Sequence, residues 1–200
     1  MKELDKHFLN YVGIDEAGRG CVGGSMFFVG CKLKNEYTPN DIAFAVDSKV
    51  TKKEHRKIIY ERLLDKIDFF SVKTTAIEID KNGLSLSIKN SLTKIKEHFF
   101  NENILYDGNS NYKVENIETL VKADSKVTIV SAASIIAKYL KDLECEEIDK
   151  IYPEYGFINH SGYVNHKHCD KIIEFGYSPF HRKSYNIKKL QNLEIKDNLK

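Results

Sequence analysis

The apolar positions of this chain follow two spacings in turn, which predict alternating strands and helices. Residues 10–16 and 24–33 are rich in β-branched and aromatic residues and flank a glycine-dense turn, so they predict two consecutive strands. Residues 51–67 and 84–100 repeat apolar side chains at helical spacing and predict amphipathic helices. Between these helices, residues 69–79 return to a composition typical of a strand.

The second half of the chain continues this alternation and then changes in character. Short strands are predicted at 104–106 and 127–130. Ser131 is predicted to begin a helix that ends near Ile148, and one more helix is predicted near 165–175. The buried side of the helix after Ser131 is expected to carry Ile135, Ile136, Leu140 and Leu143.

This order of elements predicts an α/β protein in which helices flank a β-sheet. We expect one domain over residues 1–200, because no repeat and no glycine-, serine- or proline-rich linker marks a boundary. Its α/β core spans about 10–150 and its helical C-terminal part about 151–185. The polar tail, 186–200, has no assigned role.

Composition excludes several classes of protein. With 42% hydrophobic and 30% charged residues, the chain is typical of a globular domain. It has no apolar run of the ~18 residues that a membrane span needs and no signal-peptide pattern, so we expect a cytoplasmic protein. The four cysteines lack C-x-x-C spacing, which favours reduced thiols over a zinc site. Since 31 basic residues face 29 acidic ones, any polyanion must be held by local charge.

Four acidic residues lie where predicted strands or short apolar runs give way to turns. They are Asp15, Glu16, Asp107 and Asp124. Strand ends in α/β sheets are where ligand sites collect, and carboxylates without histidine or cysteine neighbours favour an oxygen-seeking ion such as Mg²⁺. Adjacent residues of a regular strand point to opposite faces, so we expect a backbone distortion to bring Asp15 and Glu16 into one site.

The glycines that follow these acids allow a second interpretation. Residues 18–23 match G-x-G-x-x-G, the dinucleotide-binding pattern. That pattern requires a helix to begin within it, whereas residues 23–30 are typical of a strand, and two carboxylates directly before the glycines repel a pyrophosphate. The dinucleotide-binding module is therefore the weaker alternative.

The run from Tyr11 to Gly20 is similar to the signature of the type 2 ribonucleases H, the ribonuclease HII family. Further motifs follow in the family's order: 47–49, 107–108, 122–124, 131–138 with Asp142, 155–157, His160, 162–163 and 181–185. The resemblance implies an RNase H-like mixed β-sheet flanked by helices, with a helical C-terminal portion. It also implies a nuclease that cleaves the RNA of RNA–DNA hybrids and cuts duplex DNA at embedded ribonucleotides.

The resemblance also assigns roles to particular residues. It implies that Asp15, Glu16, Asp107 and Asp124 are catalytic and bind Mg²⁺ or Mn²⁺, as two ions, with Asp142 as a second candidate beside Asp124. Gly18, Arg19, Gly20 and Tyr163 would read the ribose 2′-hydroxyl. Interpreted as phosphate contacts are Lys49, Ser134, Lys138, His181 and Arg182. His166 and His168 are interpreted as a surface or substrate-facing pair rather than metal ligands.

Two further alternatives differ in activity. Ribonuclease HIII shares the catalytic motifs but carries an extra N-terminal domain, and only fourteen residues precede Asp15 here, which favours the HII type. A hybrid-binding protein without catalysis is disfavoured by the presence of all four acids. The expected partners are RNA–DNA hybrid and ribonucleotide-containing duplex DNA, bound by a monomer that contacts no membrane; a replication or repair partner stays unassigned.

Overall fold

The computed structural model describes residues 1–45 and 52–199, and five strands within them form one mixed sheet. The strands are β1 (Val12–Ala17), β2 (Met26–Leu33), β3 (Ile67–Thr74), β4 (Ile104–Asp107) and β5 (Glu118–Leu120). Their order across the sheet is β3-β2-β1-β4-β5. Strands β1, β2 and β3 pair antiparallel, whereas β4 pairs parallel to both β1 and β5.

Helices cover both faces of the sheet and form the C-terminal part. They are α1 (Lys53–Leu63), α2 (Ala76–Asn82), α3 (Leu84–His98), α4 (Ala123–Lys126), α5 (Thr128–Ile151), α6 (Phe157–His160) and α7 (His166–Phe175). Short 3₁₀ helices lie at Pro39–Ile42, Pro153–Tyr155 and Lys188–Leu190. The fold is therefore the predicted one, a mixed sheet between helices with a helical C-terminal portion. Among the described residues, no helix combines the length and apolar composition needed to cross a membrane.

The long helix α5 organises the core because β1 lets it approach closely. A methyl group on Gly13 would lie 2.7 Å from the Val130 nitrogen, so only glycine admits the start of α5 at this distance. On the opposite face, Val12 and Ile14 of β1 pack with the apolar side of α3. The carboxyl end of α5 contributes Cys145 and Ile148 to a separate cluster with the C-terminal helices. One helix thus joins the sheet to the C-terminal part.

Two of the predicted strands differ from the structure. The strand predicted at 127–130 is wrong, because residues 128–130 form the first turn of α5. Ile129 and Val130 are apolar because they are buried between α5 and the sheet, and periodicity over four residues does not distinguish this from a strand. The strand predicted at 69–79 ends at Thr74, where a capping box between Thr75 and Glu78 begins α2.

The remaining differences are smaller. Strand β5 was not predicted from the sequence. It has three residues, none of them fully buried, and is too short to show an alternation of apolar and polar positions. The helix predicted at 51–67 is present as α1 but ends at Leu63, and Ile67 already belongs to β3. The helices predicted at 84–100 and near 165–175 are present as α3 and α7. All four cysteines are buried free thiols.

Candidate active site

The acidic cluster forms because two parallel strands end side by side. Strands β1 and β4 run parallel with Ile14 opposite Tyr106, so the residues that follow come out at the same edge of the sheet. Carboxylate oxygens of Asp15, Asp107 and Asp124 all lie within 4.8 Å of one another. Asp124 reaches this group from the first turn of α4.

Hydrogen bonds orient the cluster from the main chain and from α5. The N–H groups of Ala123 and Asp124 donate to the two Asp107 oxygens at 3.2 and 3.4 Å. The hydroxyl of Ser134, on α5, hydrogen-bonds the Asp15 carboxylate. Ser134 is buried and lines the cavity in front of the acids, so its interpretation as a phosphate contact stays a prediction.

Asp15 and Glu16 reach the site from opposite faces of β1 without the expected backbone distortion. The pairing of β1 with β2 is unbroken from Gly13 to Ala17. Asp15 meets Ser134 on the α5 side, whereas Glu16 accepts a hydrogen bond from the Tyr106 hydroxyl at 2.9 Å. Both carboxylates line the same cavity, because they stand at the end of the strand.

The carboxylates of this cluster lie close together in a buried place, which raises their pKa values and favours a bound cation. Burial raises the pKa of Asp15 well above its usual range, and the adjacent Glu16 charge raises it further. Burial is also the main cause of the raised pKa of Asp107, followed by the charge of Asp124. All the donors are carboxylate oxygens, the ligand type that hard divalent cations prefer. The residues present therefore fit Mg²⁺ or Mn²⁺, whose charge would allow these acids to ionise together.

A cavity of about 430 Å³ opens in front of the acids. Basic and aromatic side chains line its other walls, namely Arg56, Lys138, Lys141 and Tyr163. Asp142, the second candidate acid, also lines it but forms an ion pair with Arg56 and lies outside the three-carboxylate group. The cavity thus combines an anionic floor with cationic walls, as a metal-assisted phosphate site requires.

Two buried cations hold the glycine-rich loop, residues 18–25, beside this cavity. The Arg182 guanidinium donates to the Gly24 oxygen at 2.8 and 3.1 Å and to the Arg19 oxygen at 3.1 Å. The Lys141 ammonium donates to the Gly23 oxygen at 3.1 Å. Gly24 has φ of +77°, and a methyl group there would lie 2.1 Å from the Lys141 nitrogen. Glycine is required because the loop is drawn tightly onto the cations.

The interpretation of His181 and Arg182 as phosphate contacts does not match their positions. Arg182 is fully buried, and its guanidinium also donates to the Tyr185 hydroxyl at 2.8 Å. His181 is buried too, with one ring nitrogen 3.0 Å from that of His168. His168 itself is 0% exposed, so its interpretation as a surface or substrate-facing residue is wrong. Lys49 lies outside the described residues.

Comparison with known proteins shows which family this chain belongs to. The family model described as Ribonuclease HII matches residues 12–188. A ribonuclease HII of Campylobacter concisus is 42% identical over 176 residues, which cover 88% of this chain and 92% of the relative.

The chain belongs to the ribonuclease HII family. Its fold is also similar to the crystal structure of ribonuclease H2 from Pyrococcus horikoshii, with a TM-score of 0.72, 27% identity and coverage of 88% and 94% of the two chains. Bst-RNase HIII in complex with Mn²⁺ has a similar fold, with a TM-score of 0.64 and 19% identity. The alignment covers 84% of this chain and 63% of Bst-RNase HIII.

Membership makes this protein a hydrolytic nuclease with ribonuclease H activity. The matched segment contains the three clustered aspartates, Glu16 and Tyr163. Within this ribonuclease HII, the dinucleotide-binding interpretation is wrong, because β2 rather than a helix follows the glycines.

Two charged residues that line the cavity, Arg56 and Lys141, were not predicted from the sequence, nor was Glu144, which pairs with Lys141. Glu144 is buried and accepts hydrogen bonds from Lys141 at 3.1 Å and from the Ser25 N–H at 2.7 Å. Leu143, predicted to be buried, is 38% exposed instead. The charged pair takes the buried face of α5 because the glycine loop opposite presents carbonyl and N–H groups rather than side chains. The i, i+3 pairing of Lys141 with Glu144 was the available signal.

The two buried histidines make the stability of this ribonuclease HII depend on pH. Burial lowers the pKa of His168 to about 4 and that of His181 to about 3. The unfolded chain therefore binds more protons, so this contribution is complete above pH 6.5 and is lost as the pH falls toward 4. We expect His168 alone to give a slope of up to about 1.4 kcal/mol per pH unit in the unfolding free energy.

Urea unfolding of the metal-free protein between pH 7 and 4.5 measures this slope. The raised pKa values of Asp15, Glu16 and Asp107 act in the opposite sense, so the comparison is made against His168→Gln, which retains those acids. The expected result is a steeper acid loss in the unsubstituted protein. Parallel curves would contradict the assignment of a neutral His168.

Proposed function

We propose that this ribonuclease HII cuts the RNA strand of RNA–DNA hybrids and cleaves duplex DNA on the 5′ side of embedded ribonucleotides. The products would carry 5′-phosphate and 3′-hydroxyl ends, and the cellular role would be removal of ribonucleotides during replication and DNA repair. The observation that carries the proposal is the continuity of one cavity, which runs from the carboxylates to Tyr163 and Gly18. Reaction chemistry and ribose recognition thus share one opening.

The carboxylates are the proposed holders of two Mg²⁺ or Mn²⁺ ions: Asp15, Glu16, Asp107 and Asp124. When bound, such ions supply a nucleophilic water at neutral pH and stabilise charge on the attacking and leaving oxygens. The clustered aspartates support this assignment, as does the Mn²⁺ complex of Bst-RNase HIII. The chain's own contribution is orientation: Ser134 holds Asp15, while Tyr106 and Arg19 hold Glu16.

Recognition of the ribose would fall to the glycine loop and Tyr163. The N–H groups of Arg19 and Gly20 donate to no acceptor among the described residues, so they are available to a ligand. Tyr163 is 53% exposed, and its ring lies beside Gly20. A tyrosine can stack on a sugar with its ring while its hydroxyl contacts the 2′-oxygen, the group that separates RNA from DNA. Lys138 and Arg56, on the cavity wall, would contact the flanking phosphates.

Cleavage of a defined duplex tests the proposal. Purified protein is incubated with Mg²⁺ or Mn²⁺ and a DNA duplex that holds one ribonucleotide, beside an all-DNA duplex and a continuous RNA–DNA hybrid. We expect one cut 5′ to the ribonucleotide, cutting of the hybrid RNA, no cut in the DNA control, and loss of all cutting with EDTA. An intact ribonucleotide duplex, from folded protein with metal supplied, overturns the proposed specificity.

Replacement of Tyr163 tests the recognition step. We expect Tyr163→Ala to lower kcat/KM at a single embedded ribonucleotide on the order of 10²-fold, because a site built to hydrogen-bond a hydroxyl depends strongly on that contact. Duplex binding should change much less, since phosphate contacts supply most of the non-specific affinity. Single-turnover cleavage and fluorescence anisotropy binding measure the two quantities. Tyr163→Phe separates the hydroxyl from the ring, and equal losses in cleavage and binding would make Tyr163 merely structural.

A further inference from the structure

Three histidine rings form a row directly behind the Gly162–Tyr163 main chain. His160 stacks on His168 with ring centroids 4.1 Å apart, and the His168 and His181 centroids are 5.2 Å apart. His168 and His181 are buried, and none of the three belongs to the carboxylate cluster. The proposed reaction therefore leaves this row without a role.

The hydrogen bonds of the row determine which nitrogens carry protons. The Tyr163 carbonyl lies 3.0 Å from His168 Nδ1 and can only accept, so His168 is protonated at Nδ1. His168 Nε2 is then the acceptor, and His181 Nε2–H must donate to it across 3.0 Å. His181 Nδ1 in turn accepts from the Ser178 N–H at 2.9 Å. Each ring is neutral, and its tautomer follows from its neighbour.

The third ring, that of His160, is also held by main-chain groups at both nitrogens. His160 Nε2 donates to the Tyr155 carbonyl at 3.0 Å, while its Nδ1 accepts from the Gly162 N–H at 3.2 Å. Gly162 has φ of +83°, and its carbonyl accepts from the N–H groups of Val22 and Gly23 at 2.9 and 3.1 Å. The main chain before Tyr163 is thus tied both to the histidines and to the glycine loop.

The exposure of Tyr163 makes these main-chain contacts important. Tyr163 is 53% exposed, so packing holds its ring weakly, and its hydroxyl hydrogen-bonds Cys21. Its carbonyl, in contrast, is bound to a fully buried ring whose other nitrogen is engaged by His181. His168 therefore holds the main chain from which the ring projects, while Cys21 contacts the hydroxyl at the other end of the side chain.

We propose that His168 is a positioning residue, which orients Tyr163 for contact with the ribose through the tautomer-specific bond from Nδ1 to the Tyr163 carbonyl. His181 completes the device by accepting from Ser178 and donating to His168, so that the Nδ1 proton of His168 always faces Tyr163. This inference rests on the proposed role of Tyr163 in reading a ribonucleotide, and it adds the residue on which that reading depends.

Two amide substitutions test the hydrogen bonds of the two His168 ring nitrogens separately. An asparagine amide reaches the position of Nδ1 and keeps the donor to the Tyr163 carbonyl, whereas a glutamine amide reaches the position of Nε2 and keeps the acceptor for His181. Both variants lose the ring. We expect His168→Gln to lower kcat/KM at a single ribonucleotide about tenfold relative to His168→Asn, at matched melting temperature.

A double-mutant cycle distinguishes positioning from general damage. In a Tyr163→Ala background the ring to be positioned is absent, so His168→Gln should change the remaining rate by no more than about twofold. A merely structural role of His168 predicts the same tenfold loss in both backgrounds. That outcome overturns the inference, as does equal activity of His168→Gln and His168→Asn.

A second readout does not depend on cleavage. The chain contains no tryptophan, so Tyr163→Trp places a single tryptophan at this position, which can be excited at wavelengths where tyrosine does not absorb. Time-resolved anisotropy should show greater rapid wobble after His168→Gln and unchanged wobble after His168→Asn. If His168→Gln fails to fold, increased wobble in folded His168→Asn overturns the inference. Failure of ribonucleotide cleavage by the unsubstituted protein would reject the proposed function, while the anisotropy still judges the positioning.

Discussion

Asp107→Asn is expected to abolish nearly all cleavage while leaving the fold intact. Asp107 stands at the end of β4, within 4.8 Å of the oxygens of two other aspartates, and an amide cannot supply the charge that a divalent ion requires. Loss of several kcal/mol of transition-state stabilisation corresponds to a decrease in kcat on the order of 10³-fold.

The stability of the same variant makes the prediction sharper. Because burial and Asp124 raise the pKa of Asp107, removal of its charge relieves a repulsion in the metal-free protein. We therefore expect the melting temperature of Asp107→Asn without metal to equal or exceed that of the unsubstituted protein, and the stabilisation by added Mg²⁺ to shrink. Asp65→Asn, at an exposed carboxylate, is the control for both measurements. Retained cleavage, or a melting temperature that falls, would show that the site is misassigned.

Arg182→Met is expected to damage both stability and cleavage. The substitution leaves the carbonyls of Arg19 and Gly24 with fewer donors in a buried place, and such groups cost about 1–3 kcal/mol each. We expect the free energy of unfolding to fall by about 2–4 kcal/mol. Urea unfolding measures this loss.

The cleavage of folded Arg182→Met should fall as well, because the released Arg19 carbonyl belongs to the loop proposed to contact the ribose. Lys183→Met is the matched control, since the neighbouring Lys183 is exposed and forms a surface ion pair with Asp197. A direct phosphate contact by Arg182 would instead predict unchanged stability and a reduced dependence of binding on salt. Those two results together would contradict the role of Arg182 as a buried donor to the carbonyls of the glycine-rich loop.

Local pattern was sufficient for much of the fold and for the acids. Asp15 and Asp107 are recognisable because each follows a short apolar strand, and strand ends are where sheets place ligands. The helices α1, α3 and α7 are recognisable from their apolar spacing. Where prediction failed, at 127–130, burial on all sides had removed the periodicity on which it depends.

The order of residues along the chain determined the chemistry of this protein: which acids are available, that no histidine or cysteine accompanies them, and that glycines follow two of them. Only the tertiary structure decided which charges act at the surface and which act inside. Arg182 and His168 look like surface groups in sequence, yet both are buried against main-chain carbonyls. The reason is physical: the partners of these side chains are backbone groups of distant segments, and every residue type carries those groups alike.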